Sequence, residues 1–215
     1  MNQRTGSNDS LVVSYLGLRK AIGIIGIALP FVLAFGNMFL VGLGIQSSIS
    51  AYYHTVMRDV LVGSLCAIAM FLMSYRGYDK DYIAGRLACA FALGVALLPI
   101  APDVGATPQH KIVGALHLLF AASFFLTLAF FCLVLFRKSG SKNPTREKLH
   151  RNIVYTVCGY TILACLVLIA VVGLMSSDTP LKKLDPVFWL EAAAIVAFGV
   201  SWLTKGEAIL KDAET

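Results

Sequence analysis

Along this chain apolar residues gather into six long blocks, 18–44, 59–75, 82–101, 112–136, 152–175 and 187–204, divided by polar breaks. A helix needs about 20 mainly apolar residues to cross the hydrocarbon of a bilayer. In lipid only a helix, or a closed barrel with strands about half this long, pairs all of its backbone polar groups. The pattern therefore predicts an all-α, polytopic membrane protein, a bundle of six transmembrane helices over residues 18–204 with tails at 1–17 and 205–215. The second block, closed between Asp59 and Arg76, is short, and its ends are expected to snorkel or run into flanking structure. The first apolar run, 21–45, exceeds the roughly 7–15 residues of a cleavable signal core and is expected to stay as a spanning helix. The first ten or so residues and the last several read as frayed tails.

Composition narrows the class. Hydrophobic residues make up 58% of the 215 and charged residues 14%, with mean hydropathy +0.76. A soluble globular chain carries about 45–50% and about 25%. These proportions exclude a soluble enzyme, a disordered chain and a nucleic-acid-binding protein. The net charge of +6 needs no nucleic-acid partner, because Lys and Arg divide unequally between the two ends of the bundle. Of the 18, only Arg58, Lys111, Lys182 and Lys183 fall on the side away from the termini. By the positive-inside rule both termini are cytoplasmic. A multi-pass protein of the cell inner membrane is expected, with membrane lipids as partners. The basic break 137–151 sets this topology and could also hold anionic head groups. The five cysteines lie inside apolar blocks without C-x-x-C spacing and read as small hydrophobes. Trp189 and Trp202, near opposite ends of the last block, read as interface anchors.

The polar residues that remain collect toward the other end. Segment 45–58 is too polar for the hydrocarbon core and too aromatic for a free loop, which predicts an interfacial or re-entrant piece. If it is helical, Ser50 and His54 share a face, with Arg58 a turn further on. Asp59 opens the second helix, where a carboxylate suits the positive helix end. Asp103 follows the Pro99-Ile-Ala-Pro102 ending of the third block at the same boundary. His117 lies about 8 Å into the fourth block and Glu191 about 6 Å into the sixth, at 1.5 Å per residue. Ionisable groups at membrane depth are costly and normally face the bundle interior and pair. These residues are therefore expected to converge on a cavity open to the outer leaflet, with Tyr52 and Tyr53 as anchors or as its lining. His110, Lys111 and His150 read as solvated, and Arg86 as snorkelling.

Three uses fit such a cluster. His54, His117 and Asp103 could hold zinc with an open position for water, although no H-x-x-x-H or H-E-x-x-H spacing reinforces that set. Glu191 or Asp59 would then serve as general base, Ser50 would orient the water, and Tyr53 and Arg58 would bind a lipid-like amide or ester. In that case His117→Ala is expected to leave the fold intact and remove only a ligand. The same groups could instead serve a small transporter or an ion or proton channel, for which the sparse polarity of the inner halves offers little path. The third use is a structural or ligand-binding polar network without catalysis, in which each interhelical hydrogen bond contributes about 0.6 kcal/mol.

The run from Ser50-Ala-Tyr-Tyr-His54 through Arg58-Asp59 to Gly63, the Pro102-Asp103 ending and His117-Leu-Leu-Phe-Ala-Ala-Ser-Phe-Phe125 together resemble the bacterial domain-of-unknown-function 998 type of membrane protein. That resemblance covers most of the chain and implies no particular activity. More distantly, the chain is similar to the membrane-hydrolase superfamily of alkaline ceramidases and progestin and adiponectin receptors. There a Ser…His pattern, an Asp on the next helix and a late histidine pair surround zinc. Ser50-x-x-x-His54 matches the first element and Asp103 could match the second. The late pair is absent: the last block offers Glu191, and His117 stands alone on the fourth.

Overall fold

The structure, a computed structural model, describes residues 3–77, 80–139, 145–176 and 179–210, with side chains from Tyr15 onward. Six helices account for most of it: α1 (Gln3–Val41), α2 (Arg58–Met73), α3 (Tyr82–Leu97), α4 (Pro108–Phe130, prolonged by a π-helical turn, Phe131–Leu135), α5 (Arg146–Leu174) and α6 (Pro186–Lys205). Among the described residues there is no strand. Among the described residues four stretches are long and apolar enough to cross a membrane: Tyr15–Val41, Pro108–Leu135, Arg146–Leu174 and Pro186–Lys205. At 16 residues each, α2 and α3 reach about 24 Å, less than the roughly 30 Å of hydrocarbon. The lipid-facing character is plain outside the bundle, where Phe39, Leu97, Leu119 and Val167 are all more than half exposed.

Local chemistry sets the ends. Thr107 caps α4 by accepting from the His110 amide at 3.2 Å, while His110 Nδ1 accepts from the Thr107 amide at 3.3 Å, and Pro108 takes the first helical turn. His110 is thus part of a capping box, and α4 starts four residues before the expected 112. Thr145 caps α5 in the same way through the Lys148 amide at 3.2 Å, so that helix also starts early. At the other extreme α1 runs back to Gln3, through residues expected to fray.

Successive helices pack side by side in chain order and α6 returns to α1, closing a ring of six. The α1–α6 seam depends on glycine. A Cβ on Gly23 would lie 2.8 Å from the Gly199 carbonyl oxygen, and one on Gly199 would lie 2.7 Å from that of Gly23. The half of the ring nearer Lys205 is filled with aromatic rings. Trp202, 1% exposed, sits 5.1–6.1 Å from the rings of Tyr75, Phe131, Phe136 and Phe198. It is a core residue and not the interface anchor its position near a helix end implied; Trp189, 57% exposed, faces outward. At the opposite end, residues 42–57 leave the α-helix, form a 3₁₀ turn at Ser50–His54, and tuck Ile49, Tyr52 and Met57 into the mouth of the ring.

Gly199→Ala is expected to destabilise the protein by about 1–3 kcal/mol, as overpacking does. Gly173→Ala, where the new methyl meets nothing within 4 Å, should be neutral or better. Thermal unfolding in mild detergent would check the difference.

Candidate functional site

The buried non-helical backbone at the mouth of the ring must find its hydrogen-bond partners inside the protein. Side chains supply several. Glu191, in the second turn of α6, accepts from the Ile49 amide at 2.6 Å, and the Ser50 amide is its second backbone donor. Asn37 Nδ2 donates to the Gly44 carbonyl at 3.2 Å, and the Tyr52 hydroxyl accepts from the Gln46 amide at 3.4 Å. Burial pushes the Tyr52 hydroxyl pKa up, so it stays protonated in this role.

His117 is the centre of the site. Because α4 begins at Pro108, it lies about 14 Å into the helix and not 8 Å. Its Nδ1 is 2.6 Å from the carbonyl oxygen of Leu98, the residue that closes α3. Its Nε2 is 2.9 Å from Ser50 Oγ. A carbonyl can only accept, so Nδ1 carries the proton; in the neutral ring Nε2 then accepts from the Ser50 hydroxyl. The partners thereby assign the tautomer. Ser50, His117 and Glu191 line one cavity of about 50 Å³ together with Tyr53. Its other walls are apolar, among them Leu61 and Leu65 of α2, Phe124 and Phe125 of α4, and Ile195 of α6.

Of the residues expected in the site, these four are brought together and the others are not. His54 is exposed and bonds the Ile100 carbonyl through Nε2 at 2.8 Å. With Asp103, which accepts from Ser47 Oγ at 3.2 Å, it lines a separate polar hollow at the surface. The reason is the turn. A 3₁₀ helix has three residues per turn, so positions four apart do not share a face as they would in an α-helix. Ser50 therefore points into the ring while His54 points out. Arg58 is exposed too, with its guanidinium 4.6 Å from the Tyr53 ring centroid and donating to the Tyr53 hydroxyl at 3.0 Å. Asp59 is exposed in the first turn of α2.

His54 and Asp103 line one hollow and His117 another. Both ring nitrogens of His117 are engaged, and among the described residues no group of three or more His, Cys, Asp or Glu could hold a metal ion. Two functional partners, the Leu98 carbonyl and the Ile49 amide, are backbone groups that no side-chain pattern announces. Pro99 was the available signal for the first: a proline ends α3 and leaves the preceding carbonyls in want of donors.

Comparison with family models, with curated proteins and with solved structures finds no match to this chain.

His117→Ala would leave the Leu98 carbonyl unpaired and open a void, and is expected to cost about 2–4 kcal/mol of stability. Ser50→Ala should cost about 1 kcal/mol. The comparison is made by thermal unfolding in mild detergent; a His117→Ala protein as stable as the wild type would remove the histidine from any structural role.

Proposed function

We propose that this is a six-helix, multi-pass protein of the cell inner membrane, with both termini cytoplasmic, that hydrolyses a lipid-like amide or ester at a cavity open to the outer leaflet. The charge bias supports the topology, since Lys and Arg concentrate at the end holding both termini. The short helix α2 completes its span with snorkelling ends at Arg58 and Arg76.

The observation that carries the chemistry is the 2.9 Å contact between Ser50 Oγ and an accepting His117 Nε2. His117 takes the hydroxyl proton as Oγ attacks the substrate carbonyl carbon. It returns that proton to the departing amine or alcohol, leaving an acyl group on Ser50. Water, deprotonated by the same nitrogen, attacks the acyl carbon and releases the carboxylic acid with Ser50 restored. The Leu98 carbonyl orients the imidazole, which a neutral acceptor does less strongly than a carboxylate. Glu191 is a positioning residue that holds the Ser50 turn against α6. Apolar walls suit an acyl chain, and Tyr53 with Arg58 at the rim suits a polar head. No step passes through zinc. Lipid amides are the first substrates to test.

A second use, binding a lipid-like ligand without chemistry, is favoured by one observation. The Ile49 and Ser50 amides, the natural donors to an oxyanion at Ser50, are turned to Glu191 instead. Transport finds less support, because aromatic packing around Trp202 fills the other half of the ring.

A fluorophosphonate probe on protein in detergent separates the two. Hydrolysis predicts covalent labelling of Ser50, abolished in Ser50→Ala and reduced at least about 100-fold in His117→Gln, the loss of one general base. A folded wild type that binds N-acyl lipids but leaves Ser50 unlabelled and the lipids intact would establish the non-catalytic use.

A further inference from the structure

At the end of the ring opposite Ser50 a second cavity, of about 80 Å³, opens among α1, α5 and α6. It is lined by Arg19 of α1, Lys148, Arg151 and Tyr155 of α5, Lys205 of α6, and Glu207 just beyond it. Among the described residues, four cations and one carboxylate line it. They do not sit there as a solvated fringe. Arg151 is only 8% exposed, and Arg19 Nε is buried with no hydrogen-bond partner among the described residues. Several neighbours of these charges are neutral. Arg19 Nη1 donates to the Lys205 carbonyl at 3.3 Å, Arg151 Nη1 to the Leu210 carbonyl at 3.3 Å, and Lys148 Nζ to the Phe136 carbonyl at 2.7 Å. The ammonium groups of Lys148 and Lys205 also lie 5.6 and 5.5 Å from the Tyr155 and Phe136 ring centroids. Like charges gathered out of water repel and lose hydration, and they are stable when a counter-charge joins them. Guanidinium groups are matched to planar or tetrahedral oxyanions and bind them through paired N–H donors.

We infer that this cavity binds a phosphate-type anion, either the head group of an anionic phospholipid or a soluble phosphate. The buried Arg19 Nε–H supplies an unused donor, Arg151 and Lys205 the flanking charge, and Lys148, in the first turn of α5, a further cation. A bound phosphate would join α1, α5 and α6. The site lies at the basic end of the ring and is independent of the Ser50 chemistry.

The test uses the full-length protein, delipidated in a neutral detergent. Native mass spectrometry measures adducts with phosphatidylglycerol against phosphatidylcholine, and thermal unfolding measures the effect of inorganic phosphate against chloride at equal ionic strength. Phosphatidylglycerol is expected to bind in preference to phosphatidylcholine, with binding weakened about tenfold in Arg19→Gln and in Lys205→Gln. Lys205→Arg, which keeps the charge, and Arg86→Gln, an exposed residue elsewhere, should bind as the wild type does. Stabilisation by inorganic phosphate with the same dependence on Arg19 and Lys205 would identify a soluble ligand and equally support the site. If Arg19→Gln fails to fold, the two Lys205 variants decide. Binding of neither probe by the wild type, or binding undiminished by the charge-removing variants, would overturn the inference.

Discussion

A carboxylate on α6 holds a backbone amide from the other end of the chain: Glu191 accepts from Ile49 at 2.6 Å across 142 residues of sequence. The bond answers the strictest demand of the environment. Between α1 and α2 the chain gives up the α-helix for some sixteen residues, 42–57, and buried non-helical backbone survives only where protein groups pair it. A buried amide left without a partner costs about 1–3 kcal/mol. Glu191, Asn37 and Tyr52 serve this segment, and His117 and His54 serve the freed carbonyls at Leu98 and Ile100. Most of the residues that look catalytic in the sequence are therefore first of all hydrogen-bond partners for a broken backbone. Among the described residues, only Ser50 Oγ and His117 Nε2 pair side chain to side chain inside the cavity, which is why the proposed chemistry rests on them.

The apolar blocks made the six helices legible, because a membrane helix must be apolar along its whole length. The ends were less so. Thr107 and Thr145 start α4 and α5 in polar sequence, where capping and not hydropathy sets the boundary. Ser50, His117 and Glu191 stood out as polar groups at membrane depth, and the fold brings them together. His54 and Asp103 stood out in the same way and were turned outward, because a 3₁₀ turn replaces the α-helical spacing on which their convergence relied. Trp202 shows the same limit. A tryptophan near a helix end is an anchor or a core residue according to what packs on it, and the rings of Tyr75, Phe131 and Phe136 place it inside.

The two ends of the ring carry opposite chemistry. Inside the Ser50 cavity the polar side chains are Ser50, Tyr53, His117 and Glu191; near Lys205 four cations and Glu207 gather around a pocket. Between them lie the apolar wall of the first cavity and the aromatic packing of Tyr75, Phe131, Phe136 and Trp202.

Hydrogen–deuterium exchange of peptides covering residues 45–57, in wild type and Glu191→Ala, tests the central claim most directly. Slow exchange is expected in the wild type, faster by about tenfold in the variant, with α5 unchanged, as loss of one buried bond requires. Rapid exchange of this segment in the wild type, or exchange indifferent to Glu191, would contradict a mouth held closed by that carboxylate.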